Sequence, residues 1–201
     1  MNVSKALIKW YHLNHRELPW RESCDPYIIW LSEIILQQTR VDQGLPYFIR
    51  FVDKYPSISD LALAPEDEVL KLWQGLGYYS RARNLHATAK MVHNQFGGVF
   101  PSDYQQIRSL KGVGDYTAAA IASFAFNEPY AVVDGNVYRV LSRFFGEKTP
   151  IDSSEGKKIF AGLATALLNT KTPGIHNQAI MEFGATLCRP SAPDCHICPL
   201  V

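Results

Sequence analysis

Nowhere does the chain approach the roughly 20 consecutive apolar residues that a membrane span needs. Its start, Met1-Asn2-Val3-Ser4-Lys5-Ala6-Leu7, has neither a long apolar run nor a small-residue cleavage site. A membrane-spanning or secreted protein is therefore not expected, and a soluble intracellular one is. Low-complexity tracts and internal repeats are lacking as well. Alternating apolar runs, the mark of half-buried strands, are rare. Charge of one sign is lacking too: 20 Lys and Arg against 19 Asp and Glu leave a net +1. That balance neither requires nor excludes a polyanionic partner, because a local basic patch is sufficient. Cysteine is scarce, at four residues, and with no secretion signal a disulfide scaffold is disfavoured.

What is present is apolar residue, at 47% of the 201 positions, enough for one good core or two small lobes sharing a cleft. Helical signals dominate. Asp25-Pro26 reads as an N-cap with proline in the first turn, opening a helix from Tyr27 to about Gln38. Pro65-Glu66-Asp67-Glu68 starts another, with its acids at the positive end of the dipole. Gly75-Leu76-Gly77 interrupts, and Tyr78-Tyr79-Ser80-Arg81 leads into a segment from Ala82 to Gln95. Ser102-Asp103 caps the next helix, and Asp115 is expected to cap Tyr116 to Phe126. Further helices are expected over 137–144, 155–168 and 175–187. The fold class is all-α with short loops.

Two motifs carry chemistry. Leu110-Lys111-Gly112-Val113-Gly114-Asp115-Tyr116-Thr117 reads as a helix, a tight Gly-Val-Gly hairpin and a second helix. Such a turn needs positive φ and presents backbone N–H groups to an anion such as a phosphate. Val133-Asp134-Gly135-Asn136-Val137 places a carboxylate directly after the apolar run Ala131-Val132-Val133. Alone, the first is an ordinary helix–helix turn and the second an ordinary cap. Their order and spacing point to chemistry on DNA. Lys71, Arg81, Arg83, Lys90, Arg108 and Lys111 make the middle of the chain locally basic, as a solvated helix face also would.

Ile28 to Leu36 is apolar on nearly every face, which marks a buried helix, and Glu33 sits in its middle. Glu33 is either a helix-edge side chain reaching solvent or a cleft carboxyl with a raised pKa. Cleavage of an N-glycosidic bond needs one ionised carboxylate beside the developing sugar cation and one protonated carboxyl for the leaving base. Asp134, near polar Asn136, suits the first role, and Glu33 in its apolar run suits the second.

The segments Leu18-Pro19-Trp20-Arg21, Leu31 to Val41 with its Gln37-Gln38-Thr39, Gly75 to Leu85 with its Gly77-Tyr78-Tyr79-Ser80-Arg81, the hairpin, and Val133 to Arg143 occur in that order. Together they resemble the catalytic domain of MutY-type adenine DNA glycosylases, of the helix-hairpin-helix and endonuclease III superfamily, over about Arg16 to Pro199. The resemblance implies removal of adenine opposite 8-oxoguanine or guanine, by flipping it out of double-stranded DNA. It assigns base protonation to Glu33 and sugar-cation stabilisation to Asp134, with Tyr116 bonded to that aspartate and Asn136 nearby. Arg16, Trp20, Arg21, Leu36, Val41 and Gln178 fall where that family builds its adenine pocket. Gln38, Thr39, Leu76 and Tyr78 fall where it wedges the duplex and touches the opposite base. Lys111, Gly112, Val113 and Gly114 form the DNA-gripping hairpin, with Lys111 either a phosphate contact or a solvated charge. Bifunctional relatives such as endonuclease III carry a lysine where this chain has Tyr116. A phenol cannot form a Schiff base, so a monofunctional enzyme is expected.

Cys188, Cys195 and Cys198, stiffened by Pro190, Pro193 and Pro199, form a ligand-like cluster suited to iron–sulfur or zinc. Cys24 lies far off and reads as a small buried residue. The resemblance implies a [4Fe–4S] cluster whose fourth cysteine would fall at position 204, beyond Val201. The chain therefore reads as cut within its cluster motif, without the family's C-terminal 8-oxoguanine-reading domain. The resemblance also implies two lobes with the active cleft between them. One is a helical bundle over 25–133, and the other is a cluster lobe from 1–24 and 134–201. A monomer is expected, cytoplasmic and nucleoid-associated if bacterial. Two other functions compete, a thymine–DNA mismatch glycosylase and a non-catalytic lesion-binding module.

Overall fold

The computed structural model describes residues 2–201. Among them are eleven α-helices and no strand, as expected from the sequence. They are α1 (Val3–Asn14), α2 (Pro26–Leu36), α3 (Val41–Lys54), α4 (Ile58–Leu63), α5 (Glu66–Leu72), α6 (Tyr79–Phe96), α7 (Tyr104–Ser109), α8 (Asp115–Phe126), α9 (Gly135–Phe145), α10 (Ser154–Leu167) and α11 (Pro173–Thr186), with 3-10 turns at Pro19–Arg21 and Cys195–Ile197. None of the described helices is long and apolar enough to cross a membrane.

Local chemistry explains most boundaries. The Asp25 side chain accepts from the Tyr27 N–H at 2.8 Å, with Pro26 in the first turn. Asp103 caps α7 by accepting from the Gln106 N–H. Asp115 departs from expectation. It is the first residue of α8 rather than its cap, and its carboxylate is engaged by the Arg108 guanidinium. Three helices escaped the sequence reading. Gly44 and Pro46 obscure α3, which forms because Phe48 and Phe51 are buried along one face. A capping box between Ser57 and Asp60 starts the short α4, and Asn2 caps α1 by accepting from the Lys5 N–H.

The chain divides into two compact units. The hairpin unit is Pro19–Ile121, and the terminal unit joins the residues up to Leu18 to Ala122–Val201. The divisions lie at 18/19 and 121/122, not at the 24/25 and 133/134 drawn from sequence. Two contacts explain the difference. Trp20 packs its ring against Phe48 at 5.0 Å, which draws the Pro19–Arg21 turn into the hairpin unit. The last turn of α8 serves the terminal unit, where Ser123 Oγ accepts from Asn177 Nδ2 at 2.9 Å.

In the hairpin unit α4 and α5 pack on α6, and α2 packs on α3 and α6. The core is aromatic. Phe51 meets Trp73 edge-on at 5.9 Å, and Trp30 meets Phe100 at 5.7 Å. As expected for α2, Ile29, Trp30, Leu31, Ser32, Ile34 and Ile35 are all buried. In the terminal unit α1 and α9 pack on α11, and α10 packs on α9. Leu7, Val137, Leu141, Phe160 and Phe183 form the centre of that core.

Candidate active site

In the terminal unit, Asp134 stands in extended backbone at the N-cap of α9. Its Oδ1 accepts from the Val137 N–H and its Oδ2 from Asn136 Nδ2, each at 2.8 Å. Burial pushes its carboxyl above the ordinary aspartate range, while these bonds and the nearby Arg139 charge oppose the rise. Both oxygens are thus oriented by the first turn of its own helix, which also offers the positive end of its dipole.

Asn136 is itself held in place. Its Oδ1 accepts from Arg139 Nη2 at 2.8 Å, and the same nitrogen donates to the Gly184 carbonyl at 2.7 Å. Arg139 Nε donates to the Cys188 carbonyl at 2.8 Å. One turn on, Arg143 donates to the carbonyls of Arg189 at 2.7 Å and Pro190 at 3.0 Å, and lies 3.3 Å from Cys188 Sγ. Gly184 permits this arrangement, because a Cβ there would meet Asn136 Cβ at 2.7 Å. Arg139 and Arg143 were not singled out from the sequence. The signal for Arg139 was its place one turn from Asn136.

Arg16 and Gln178 also belong to the terminal unit. Arg16 makes a two-pronged ion pair with buried Glu182, at 2.7 and 2.8 Å. Gln178, one turn before Glu182 on α11, accepts from the Tyr11 hydroxyl at 2.6 Å.

The remaining expected residues belong to the hairpin unit. Glu33 is half-buried between buried Ser32 and Ile34. Trp20 is buried, and Arg21, Leu36, Val41 and Tyr116 are half-buried. Gln38 and Tyr78 are exposed and adopt left-handed backbone, with φ of 54° and 47°. Thr39 is half-buried beside Gln38. Leu76, expected where the family wedges the duplex, is buried. Its N–H donates to the Trp73 carbonyl at 3.1 Å, and its own carbonyl accepts from Arg81 Nη2 at 3.3 Å.

The hairpin has the expected shape. Gly112 takes φ of 78°, and a Cβ there would lie 3.0 Å from Asn84 Cβ. Val113 is buried and anchors the turn, while Lys111, Gly112 and Gly114 are exposed. Thr88 Oγ1 donates to the Lys111 carbonyl at 2.7 Å, tying the turn to α6. The first N–H groups of α8 have no partner along their own helix, so this end is suited to an anion. Three of the six basic residues noted in sequence are engaged internally, among them Arg83, whose Nε lies 3.9 Å from Glu66 Oε1. Arg108 holds Asp115 and the Val113 carbonyl, and Arg81 holds the end of α2.

No assembled site for the expected four-iron cluster is present among the described residues. Among the described residues no three His, Cys, Asp or Glu side chains come together in a group that could hold a metal ion. Such a cluster takes four thiolates, whereas Cys188 and Cys198 are half-buried and Cys195 is exposed, as is Cys24. The loop that bears them is held by guanidinium groups donating to its carbonyls.

Comparison with known proteins adds independent findings. The family described as HhH-GPD superfamily base excision DNA repair protein matches residues 31–164. An adenine DNA glycosylase of Buchnera aphidicola from Baizongia pistaciae is 41% identical, across 98% of this chain and 56% of its own. The adenine DNA glycosylase of Homo sapiens is 42% identical, across 97% of this chain and 37% of its own. The chain thus spans about half the length, or less, of these relatives. Among solved structures, a thermostable thymine-DNA glycosylase superposes with a TM-score of 0.89 at 31% identity, covering 98% of this chain and 91% of that one. Endonuclease III in a non-covalent DNA complex shares the fold at a TM-score of 0.81 and 24% identity, covering 98% of this chain and 89% of that one.

Proposed function

The chain belongs to the HhH-GPD superfamily of base excision DNA repair proteins, and from that premise we propose that it is a monofunctional DNA glycosylase removing adenine mispaired with 8-oxoguanine or guanine. The observation that carries this reading is similarity to adenine DNA glycosylases along 98% of the chain at 41% identity. The geometry at Asp134 supports it. A carboxylate with both oxygens oriented by fixed donors is suited to face a developing cation without reorganising.

In the proposed reaction Glu33 gives its carboxyl proton to a ring nitrogen of the flipped adenine. The C1′–N9 bond breaks, and its electron pair leaves with the base. The ionised Asp134 balances the positive sugar. Water then adds its oxygen to C1′ and returns a proton to Glu33, which restores the acid. Tyr116 offers no amine, so no Schiff base forms and the strand is not cut. No step passes through a metal cluster. The partner is double-stranded DNA gripped at the 111–114 hairpin, the working form is a monomer, and the site of action is intracellular.

Single-turnover base release tests the proposal on duplexes carrying A opposite 8-oxoguanine, A opposite G, and T opposite G, each read with and without alkali. The expected result is adenine release, with breaks only after alkali. Asp134→Asn should slow release by about 10³-fold, comparable to removing a central electrostatic stabiliser. Because burial raises the Asp134 pKa, activity should fail on acidification at a pH above the ordinary aspartate range. The close match to a thymine-DNA glycosylase along nearly its whole length favours a second reading, which thymine release would establish. Tight duplex binding without release would instead indicate a lesion-binding module.

A further inference from the structure

We propose that Arg81 is a positioning residue that couples the two left-handed corners at Gln38 and Tyr78 into one rigid duplex-facing edge. The duplex-facing part of this statement rests on the glycosylase reading above.

Arg81 Nη1 donates to the carbonyls of Ile34 at 3.1 Å, Ile35 at 3.0 Å and Gln37 at 2.5 Å. Both terminal nitrogens lie 3.4 Å from Thr39 Oγ1, and Nη2 donates to the Leu76 carbonyl at 3.3 Å. The backbone N–H of Arg81 donates to the Tyr78 carbonyl at 2.9 Å. One side chain thus grips both flanks of Gln38 and the strand of the turn that leads into Tyr78. Its guanidinium also lies over the rings of Trp73 and Tyr78, at 5.1 and 5.6 Å from their centroids. No carboxylate among the described residues pairs with it. Its charge is instead set against the negative end of the α2 dipole, where carbonyls have no partner along their own helix.

Left-handed backbone at non-glycine residues persists only where the surroundings over-determine it. Within the hairpin unit such residues are Gln38 and Tyr78. Both side chains are exposed, Tyr78 at 65%, so core packing of their own does not hold them. Arg81 is the group common to both. A fold that commits one cation to five acceptors keeps one amide and one phenol presented outward at fixed positions. Those side chains can stack on bases or bond to their edges only if their backbones do not yield.

The test is hydrogen exchange and duplex binding on Arg81→Lys, which keeps the charge but cannot reach all the acceptors. Amide exchange should rise together at 37–39 and 76–78, with the helices around them protected as in the wild type. The binding probe is a duplex with 2′-fluoro-2′-deoxyadenosine opposite guanine, whose glycosidic bond resists cleavage. Affinity should fall at least about tenfold, and the preference over a fully matched duplex should shrink. Thr39→Val should move both readouts the same way by less, and Thr39→Ser should restore them, which keeps the test open if Arg81→Lys fails to fold. Loosening of one corner only, of neither, or of both without loss of mismatch preference overturns the proposal. If wild-type protein does not bind the duplex, the glycosylase reading and the duplex-facing role fail together. The exchange result then still decides whether Arg81 couples the corners.

Discussion

The two units fix irregular backbone with the same chemistry and opposite degrees of redundancy. In the terminal unit the 188–194 loop is held by three arginines. Arg139 and Arg143 donate to the carbonyls at 188–190, and Arg189 bonds to the Ala192 carbonyl and to Asp194. In the hairpin unit one arginine, Arg81, bridges the 34–39 and 76–78 segments, helped by the Trp73 indole N–H on the Gly77 carbonyl and the Thr39 hydroxyl on the Gln37 carbonyl. The difference shows where each unit is vulnerable. The terminal unit should tolerate the loss of one cation and yield to insults in its core, whereas the hairpin unit should yield at a single side chain.

The largest test of that contrast uses acid. His176, buried against Ser4 at 2.7 Å, has its pKa pushed from 6.5 down to about 4 by burial. The folded form therefore holds it neutral while the unfolded chain takes up a proton. The stability it lends is complete above about pH 6.5 and is lost as pH falls toward 4. At about 1.4 kcal/mol per pH unit the loss is on the order of 3 kcal/mol. Burial lowers the pKa of His86 in the hairpin unit too, in the same sense. Exchange measured segment by segment at pH 7 and 4.5 should show the terminal unit opening first, and His176→Gln should flatten its pH response. Equal opening of both units would break the contrast.

Next in size is Gly184→Ala. The added Cβ would press on Asn136 Cβ at 2.7 Å and on its carbonyl oxygen at 2.9 Å. Overpacking of this kind costs about 2 kcal/mol. Because the displaced side chain is the one bonded to Asp134, base release should slow as well, read by urea unfolding and single-turnover rate on the same preparation. The smallest effect is expected for Arg143→Ala. With Arg139 and Arg189 still on the loop, the loss should stay below about 1 kcal/mol. A larger loss would show that the loop, like the corners, hangs on one residue.

How legible all this was in the sequence varies by element. Asp25-Pro26, Asp103 and the acidic start of α5 announced their helices because caps and dipoles act within one turn. The α3 helix was hidden because Gly44 and Pro46 argue locally against a helix that Phe48 and Phe51 impose by burial. The Gly-Val-Gly hairpin was legible because Gly112 must take positive φ. The burial of Leu76 was not legible, because a motif position does not say which way its side chain turns.

The sequence by itself determined the helical class, most caps and the hairpin, and it singled out Asp134 and Glu33 as candidate carboxylates. Each follows from interactions within a few residues or from periodicity along one element. Only the tertiary structure decided what surrounds those groups. The bonds from Arg139 to Asn136, Gly184 and Cys188, from Arg81 to both corners, and from Arg16 to Glu182 join residues up to 166 positions apart. It likewise decided that the three cysteines do not gather into a metal-holding set among the described residues. The reason is physical. A guanidinium's partners are whichever carbonyls the packed helices bring within 3 Å, and packing is a property of the whole chain.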